Sequence, residues 1–254
     1  MNTQDYLNRI SYTGSLQPDA QALHALQIAH LRAVPFENLD IHLGRPIRLH
    51  LPSIYDKIVR RRRGGFCYEL NGLFAWLLQE LGFEVTLLSA SDAQGDGKYG
   101  PEFDHLVLEV HCPEDAERIP WLVDVGWGDS FTSPLRLDEN SPQEQGLRAY
   151  RIDRDGDFHF LWQRNYDGTW AKQYRFTLQP RSYPDFEAMC LYHQTSPQSH
   201  FTQGRICTRA TPTGRISLDD DHLIITENGD RQERVVLCEH EYRSILQSEF
   251  GILV

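Results

Sequence analysis

Three residues of this 254-residue sequence could together perform nucleophilic chemistry: Cys67, His105 and Asp124. Cys67 follows two glycines and begins the most regular helical pattern in the chain. The positive end of a helix dipole favours the thiolate, which is the nucleophilic form of cysteine. His105 begins one apolar run and Asp124 lies inside another, where an ionised carboxylate needs a partner. A cysteine nucleophile needs a base within hydrogen-bond reach and a third group that orients this base.

Each of these residues also has a purely structural interpretation. Cys67 could be a small core residue at a helix start, and His105 an ordinary half-buried histidine at a strand edge. Asp124 could pair with a structural arginine or with backbone donors. If the two apolar runs form adjacent strands, however, His105 and Asp124 lie side by side and face the start of the Cys67 helix. The combination therefore favours one catalytic site with an unusually acidic thiol.

The elements that must position these residues fall into three segments: 1–82 is predicted to be helical, 83–180 to consist of strands, and 181–254 to mix both. The clearest helix follows Cys67, where apolar residues recur at helical spacing until Gly82. The polar segment Ser91–Phe103 predicts a mobile loop. The other predicted helices begin at Asp19, after Ser53, near Pro184 and at Glu239. The predicted strands are Phe83–Ala90, His105–His111, Trp121–Val125, three near Tyr150, Phe160 and Tyr174, one near Ile206, Leu223–Thr226 and Arg234–Leu237.

The composition is that of a globular enzyme-sized protein, with 40% hydrophobic and 24% charged residues. A formal net charge of −11 disfavours nucleic acid and anionic lipid, so an anionic ligand needs a local pocket. The run Arg60–Arg63 is interpreted as a cationic helix end. Five cysteines without a C-x-x-C motif argue against a disulfide framework and a cysteine-built zinc site, and no metal is expected. The sequence contains no membrane-length apolar run and no secretory signal, which predicts a cytoplasmic location.

The sequence resembles the arylamine N-acetyltransferase family over nearly its whole length. The segment Arg63–Cys67 (Arg-Gly-Gly-Phe-Cys) is similar to the nucleophile motif, and Pro35–Leu39 to the N-terminal signature. Asp104–Leu106 and Asp124–Gly128 are similar to the other two triad segments, and Cys190–Phe201 to a segment that usually reads Asn-x-Tyr-x-Ser-Thr-Ser-Pro-x-Ser-x-Phe. The departures from the family pattern are Trp127, where Phe is frequent, and Cys190, His193 and Gln194.

This resemblance implies an α+β fold with a helical domain (1–82), a central β-barrel (83–180) and an α/β lid (181–254) around a cysteine-protease-like triad. It implies ping-pong transfer of an acetyl group from acetyl-CoA, through Cys67, to an arylamine, arylhydrazine or hydrazide, as in xenobiotic metabolism. His105 would then be the base and Asp124 its orienting partner. The resemblance also implies an ion pair between Arg63 and Glu37.

The resemblance also assigns residues to the cleft, although aromatic residues are more often core and the glycines could simply form a turn. Gly126, Trp127, Gly128 and Phe201 are expected to bind CoA, and Phe36, Trp127 and Phe201 to line the acceptor site. Such a cleft is expected to offer no carboxylate to an alkylammonium. Three other functions stay open: an amide synthase of the same family that closes a macrolactam, a thiol hydrolase, and a non-enzymatic binder of CoA or aromatic ligands. The oligomeric state is open.

Overall fold

A computed structural model describes residues 1–95 and 97–254 and has a mixed α+β fold with a barrel-like sheet, which confirms the predicted fold class. The helices are α1 (Thr3–Arg9), α2 (Ala20–Ala33), α3 (Leu39–His42), α4 (Leu51–Tyr55), α5 (Cys67–Glu80), α6 (Glu187–Thr195), α7 (His200–Gln203) and α8 (Glu239–Phe250). The strands are β1 (Phe36–Glu37), β2 (Glu84–Asp92), β3 (His105–His111), β4 (Trp121–Val123), β5 (Leu135–Arg136), β6 (Gln143–Gln145), β7 (Arg148–Asp155), β8 (Phe158–Arg164), β9 (Trp170–Arg181), β10 (Ile206–Thr211), β11 (Gly214–Asp219), β12 (His222–Glu227) and β13 (Asp230–Val235).

Helix α5 is the central helix of the core. Its apolar stripe is fully buried, as the spacing predicts: Leu70, Leu73, Phe74, Leu77 and Leu78. Each such side chain contributes about 1.5–3 kcal/mol when it leaves water. The helix ends before Gly82, whose φ of +91° is a left-handed conformation that glycine adopts without strain. This packing holds the first residue of α5, Cys67, at a set position relative to strands β2 and β3.

Eight strands form an antiparallel sheet in the order β5-β4-β3-β2-β9-β8-β7-β6. Side-chain amides join its two edge strands. The amide of Gln143 on β6 accepts from Arg136 N at 2.8 Å and donates to Arg136 O at 3.0 Å, and Gln145 makes the same pair of bonds to Ser133 at 3.1 and 2.7 Å. These bonds satisfy edge groups that would otherwise be free to pair with another strand.

A second antiparallel sheet has the order β1-β10-β11-β12-β13. Its first strand corrects the prediction that residues 1–82 are purely helical, since Phe36 pairs with Thr208 of β10 and Glu37 pairs with Cys207. A strand of two residues has no readable periodicity, so the sequence alone does not reveal it. The division of the chain at residues 82 and 180 stays a prediction.

Other differences concern element ends. The helix expected after Ser53 continues beyond α4 as a π-helical turn, Asp56–Arg60, and the strand expected at Arg234–Leu237 ends at Val235. Strand β2 extends through Asp92 into the predicted loop, of which residue 96 lies outside the described residues. Within the described residues, no helix is both long and apolar enough to cross a membrane.

Candidate active site

Cys67 is the first residue of α5, and only 3% of its surface is exposed. The two preceding glycines are explained by the neighbouring chain. A Cβ atom on Gly64 would lie 2.0 Å from the carbonyl oxygen of Pro35, and Gly65 O accepts a hydrogen bond from Glu37 N at 2.9 Å. The glycine pair therefore lets the chain pass close to β1 and turn into α5, which brings Cys67 to the wall of a cleft of about 370 Å³.

A buried ion network lies beneath the start of α5 and includes the predicted pair of Arg63 and Glu37, which is confirmed at 2.8 Å. Arg63 also contacts Asp40 at 3.1 Å, and Lys57 contacts Asp40 at 2.8 Å and Glu69 at 2.9 Å. Burial lowers the pKa of Lys57, but its three carboxylate neighbours outweigh this effect and raise it overall. The network therefore fixes the segment that carries the nucleophile motif.

His105 and Asp124 meet as predicted. Antiparallel pairing of β3 with β4, with Leu108 opposite Val123, places His105 Nε2 2.8 Å from Asp124 Oδ2. Burial would lower the pKa of His105, but the charge and hydrogen bond of Asp124 outweigh it and raise the pKa. Because Nε2 is engaged by Asp124, Nδ1 is the ring nitrogen left for a group in the cleft.

Two residues that the sequence did not single out hold Asp124. Asn71 donates from Nδ2 to Asp124 Oδ1 at 2.9 Å, and its own Oδ1 accepts from Val125 N at 2.8 Å. Tyr174 donates to Asp124 Oδ2 at 3.2 Å, and Gly126 N donates to Oδ1 at 2.8 Å. Asn71 is a fully buried polar residue on the apolar helix that starts at Cys67, and that anomaly could have revealed it from sequence.

The predicted aromatic residues line the same cleft as Cys67 and His105. The Trp127 ring packs edge-on against the His105 ring, with 4.9 Å between centroids, so it also restrains the imidazole. The ring centroids of Phe36 and Phe201 lie 6.1 Å apart in the same cleft, and each residue is 9% exposed. Aromatic walls favour flat aromatic ligands through burial and stacking.

The two glycines of the cleft are also required by the fold itself. A Cβ atom on Gly126 would lie 2.8 Å from Cys67 Cα, so this glycine allows two protein segments to approach each other. Gly128 has φ +92°, which disfavours any side chain there. Both glycines still border the cleft.

The expectation of a cleft without carboxylates is wrong, because Asp92, Asp104 and Asp129 all line it. This changes the electrostatics of the thiol. Burial, together with the charges of Asp92, Asp124 and Asp104, raises the pKa of Cys67, whereas the helix dipole alone had suggested an acidic thiol. The sequence argument missed both the burial of Cys67, which is the larger cause, and these carboxylates, because they come from other elements.

Of the residues that depart from the family pattern, Trp127 lines the cleft, whereas Cys190, His193 and Gln194 are not part of its lining. Gln194 fastens the segment at Ile47, accepting from Ile47 N at 2.6 Å and donating to Ile47 O at 3.0 Å, and it contacts Cys190 Sγ at 3.3 Å. His193 lies 3.1 Å from Asp104 and contacts Ser199 at 3.1 Å.

A second pocket adjoins the cleft and shares Asp129 and Arg215 with it. Arg32 and Arg148 also line this pocket, so it carries three arginines and one aspartate. It is a local cationic site in a strongly acidic protein, and it suits an anionic group attached to a ligand in the cleft. Among the described residues, no group of three or more His, Cys, Asp or Glu is arranged to hold a metal ion.

Comparison with known proteins defines the class. The N-acetyltransferase family model matches residues 19–254. The chain is 40% identical to an arylamine N-acetyltransferase of Mycolicibacterium smegmatis, over 90% of this chain and 84% of that protein, and 35% identical to human arylamine N-acetyltransferase 1, over 99% and 94%. The structure of Mycobacterium marinum arylamine N-acetyltransferase in complex with CoA superposes with a TM-score of 0.92 at 34% identity, covering 99% and 93% of the two chains. The chain is thus an acyltransferase enzyme, and it belongs to the arylamine N-acetyltransferase family.

Proposed function

We propose that this enzyme transfers the acetyl group of acetyl-CoA to arylamines, arylhydrazines or hydrazides through an acetyl-Cys67 intermediate. The observation that carries the proposal is one cleft that holds a cysteine at a helix N-terminus beside a histidine bonded to a buried aspartate. From the family resemblance we further propose that the reaction takes place in the cytoplasm and belongs to xenobiotic metabolism.

In the first half-reaction, His105 Nδ1 takes the proton of Cys67 and the sulfur attacks the acetyl carbonyl of acetyl-CoA. The N-terminal backbone N–H groups of α5 stabilise the developing oxyanion. The CoA thiolate leaves and takes the proton from His105. Asp124 keeps the imidazole oriented and stabilises its protonated form, which agrees with the raised pKa of His105.

In the second half-reaction, the acceptor nitrogen attacks the acetyl carbon of acetyl-Cys67. The new C–N bond forms, the C–S bond breaks, and one N–H proton passes through His105 to the departing sulfur. The amide product leaves and free Cys67 returns. Aniline-type nitrogens are largely neutral at pH 7 and can attack directly, and their rings fit the walls formed by Trp127, Phe36 and Phe201.

An electrostatic argument supports acetyl-CoA as the acetyl donor. CoA carries phosphates, which the overall charge of −11 repels. The arginine pocket beside the cleft supplies the local attraction that such a ligand needs, with Arg215 at the boundary between pocket and cleft. Guanidinium groups bind phosphate bidentately. The M. marinum relative has been solved with CoA bound.

Intact-protein mass spectrometry with acetyl-CoA alone tests the proposal. We expect one acetyl adduct on Cys67, its loss when an arylamine is added, and no adduct in Cys67→Ser. An adduct on Cys112, Cys190, Cys207 or Cys238 would contradict the assignment of the nucleophile. Rapid loss of the adduct without any amine would instead identify a thiol hydrolase.

A further inference from the structure

Asp92 is the last residue of β2 and lines the cleft that contains Cys67 and His105. Its backbone is fixed, because it pairs with Tyr174 of β9 and its carbonyl oxygen accepts from Gly100 N at 2.8 Å. Its Oδ1 atom is inaccessible to solvent and has no hydrogen-bond partner among residues 1–95 and 97–254. A carboxylate oxygen thus sits unsatisfied beside the nucleophile.

The other carboxylates near the cleft are occupied. Asp124 accepts from His105, Asn71, Gly126 and Tyr174. Asp104 has an ionic contact with His193 Nε2 at 3.1 Å, which lacks hydrogen-bond geometry, and Asp129 binds Arg148 at 2.6 Å and Arg215 at 3.0 Å. A buried acceptor that lacks a donor destabilises the folded protein by about 1–3 kcal/mol. The Asp92 side chain is half-buried at the cleft wall, and rotation of its carboxyl group turns this oxygen toward a ligand N–H and removes that cost. Asp92 is the cleft carboxylate suited to this role.

The charge on Asp92 acts differently on the free and on the acetylated cysteine. Among the charges that raise the pKa of Cys67, that of Asp92 is the largest, so it opposes the thiolate that attacks acetyl-CoA. Once Cys67 is acetylated, its sulfur is neutral and that repulsion is gone. Burial and Asp104 raise the pKa of Asp92 to about 7, while His105 and His193 lower it. A substantial fraction of the molecules therefore carries the carboxylate at neutral pH.

We infer that the Asp92 carboxylate accepts a hydrogen bond from the attacking nitrogen of the acceptor and so selects primary amino groups and terminal hydrazine nitrogens. The inference rests on the proposed acetyl transfer. A primary amine has two N–H bonds. One proton passes to His105 as the C–N bond forms and the C–S bond breaks, and the other N–H remains in the amide product and donates to Asp92. A secondary amine has no N–H left for Asp92.

The experiment compares aniline with N-methylaniline in the second half-reaction alone. Wild type, Asp92→Asn and Asp92→Leu are first acetylated with acetyl-CoA, and loss of acetyl-Cys67 is then timed with each amine. Loss of a charge-assisted hydrogen bond lowers the rate about 10- to 100-fold. With aniline, we expect this loss of rate in Asp92→Leu and a smaller loss in Asp92→Asn. With N-methylaniline, the rate of both variants should stay within about twofold of wild type. Asp92→Asn keeps the side-chain volume, so it serves if the leucine variant does not fold.

The aniline to N-methylaniline rate ratio is the deciding quantity, because the steric effect of the methyl group is common to all variants. Asp104→Asn is the matched control, since it removes a carboxylate from the cleft lining and lowers the pKa of Asp92 without removing the Asp92 acceptor, so its ratio should not fall below that of wild type. An equal ratio in wild type and both Asp92 variants overturns the Asp92 assignment while the proposed function stands. Failure of wild-type Cys67 to become acetylated overturns both.

Discussion

The sharpest prediction concerns Asp124→Asn, because the surroundings determine how the new amide must lie. In the native protein, Asp124 Oδ1 accepts from Asn71 Nδ2 and from Gly126 N. Gly126 N can only donate, because it is a backbone N–H. Asn71 Nδ2 is fixed as the donor because the other end of that amide, Asn71 Oδ1, accepts from Val125 N. The oxygen of an asparagine at position 124 must therefore take the Oδ1 position. Its NH₂ group must then occupy the Oδ2 position, 2.8 Å from His105 Nε2.

This orientation reverses the hydrogen bond to the imidazole. The amide donates to His105 Nε2, so the neutral ring carries its proton on Nδ1 and offers no lone pair to Cys67. The charge that stabilised the imidazolium is also gone, which lowers the pKa of His105. The same replacement in a serine-protease triad costs about 10⁴ in rate, equivalent to about 5 kcal/mol in the barrier. We expect a comparable loss here with little change in stability, because the hydrogen bonds at the Oδ1 position persist.

Rapid-quench mass spectrometry measures this directly as the rate at which acetyl-CoA acetylates Cys67. Tyr174→Phe is the control, since it removes one donor to Asp124 Oδ2 but leaves the carboxylate in place, and we expect it to lose less than about tenfold. Near-normal acetylation in a folded Asp124→Asn variant would refute the reasoning and remove Asp124 from the mechanism.

Two further predictions address the charges around the site. Lys57→Met leaves Glu37, Asp40 and Glu69 with Arg63 as a buried cation and the exposed Arg45 near Asp40, so the free energy of unfolding in urea should fall by about 3–5 kcal/mol. Arg60 is exposed, so Arg60→Met should change the free energy of unfolding by less than about 0.5 kcal/mol. If the two variants lost equal stability, the buried network would not be the source of the Lys57 effect. Because the Asp92 charge raises the pKa of Cys67, Asp92→Asn should shift the iodoacetamide alkylation profile of Cys67 to lower pH and His105→Gln should shift it to higher pH. Shifts of the opposite sign would show that other groups control the thiol.

Local sequence patterns were enough to predict many of the helices, strands and hairpins of this protein. The apolar spacing after Cys67 predicted α5 nearly to its ends, and the runs at His105–His111 and Glu239–Phe250 matched β3 and α8. The dipeptides at Asp155 and Asp167 marked two hairpins. These features were predictable because helical periodicity, strand alternation and turn chemistry depend on neighbouring residues.

Tertiary structure decided the environment of the site. Register between β3 and β4 brings His105 to Asp124, and the buried face of α5 turns Asn71 toward the same carboxylate. The short strand β1 joins the C-terminal sheet, although nothing in its two residues predicts a strand. Burial of Cys67, together with the charge of Asp92 from β2, raises the pKa of the thiol, whereas the sequence had predicted that it would be lowered. A pKa depends on burial and on charges that arrive from several distant segments, and only the packed chain brings these together.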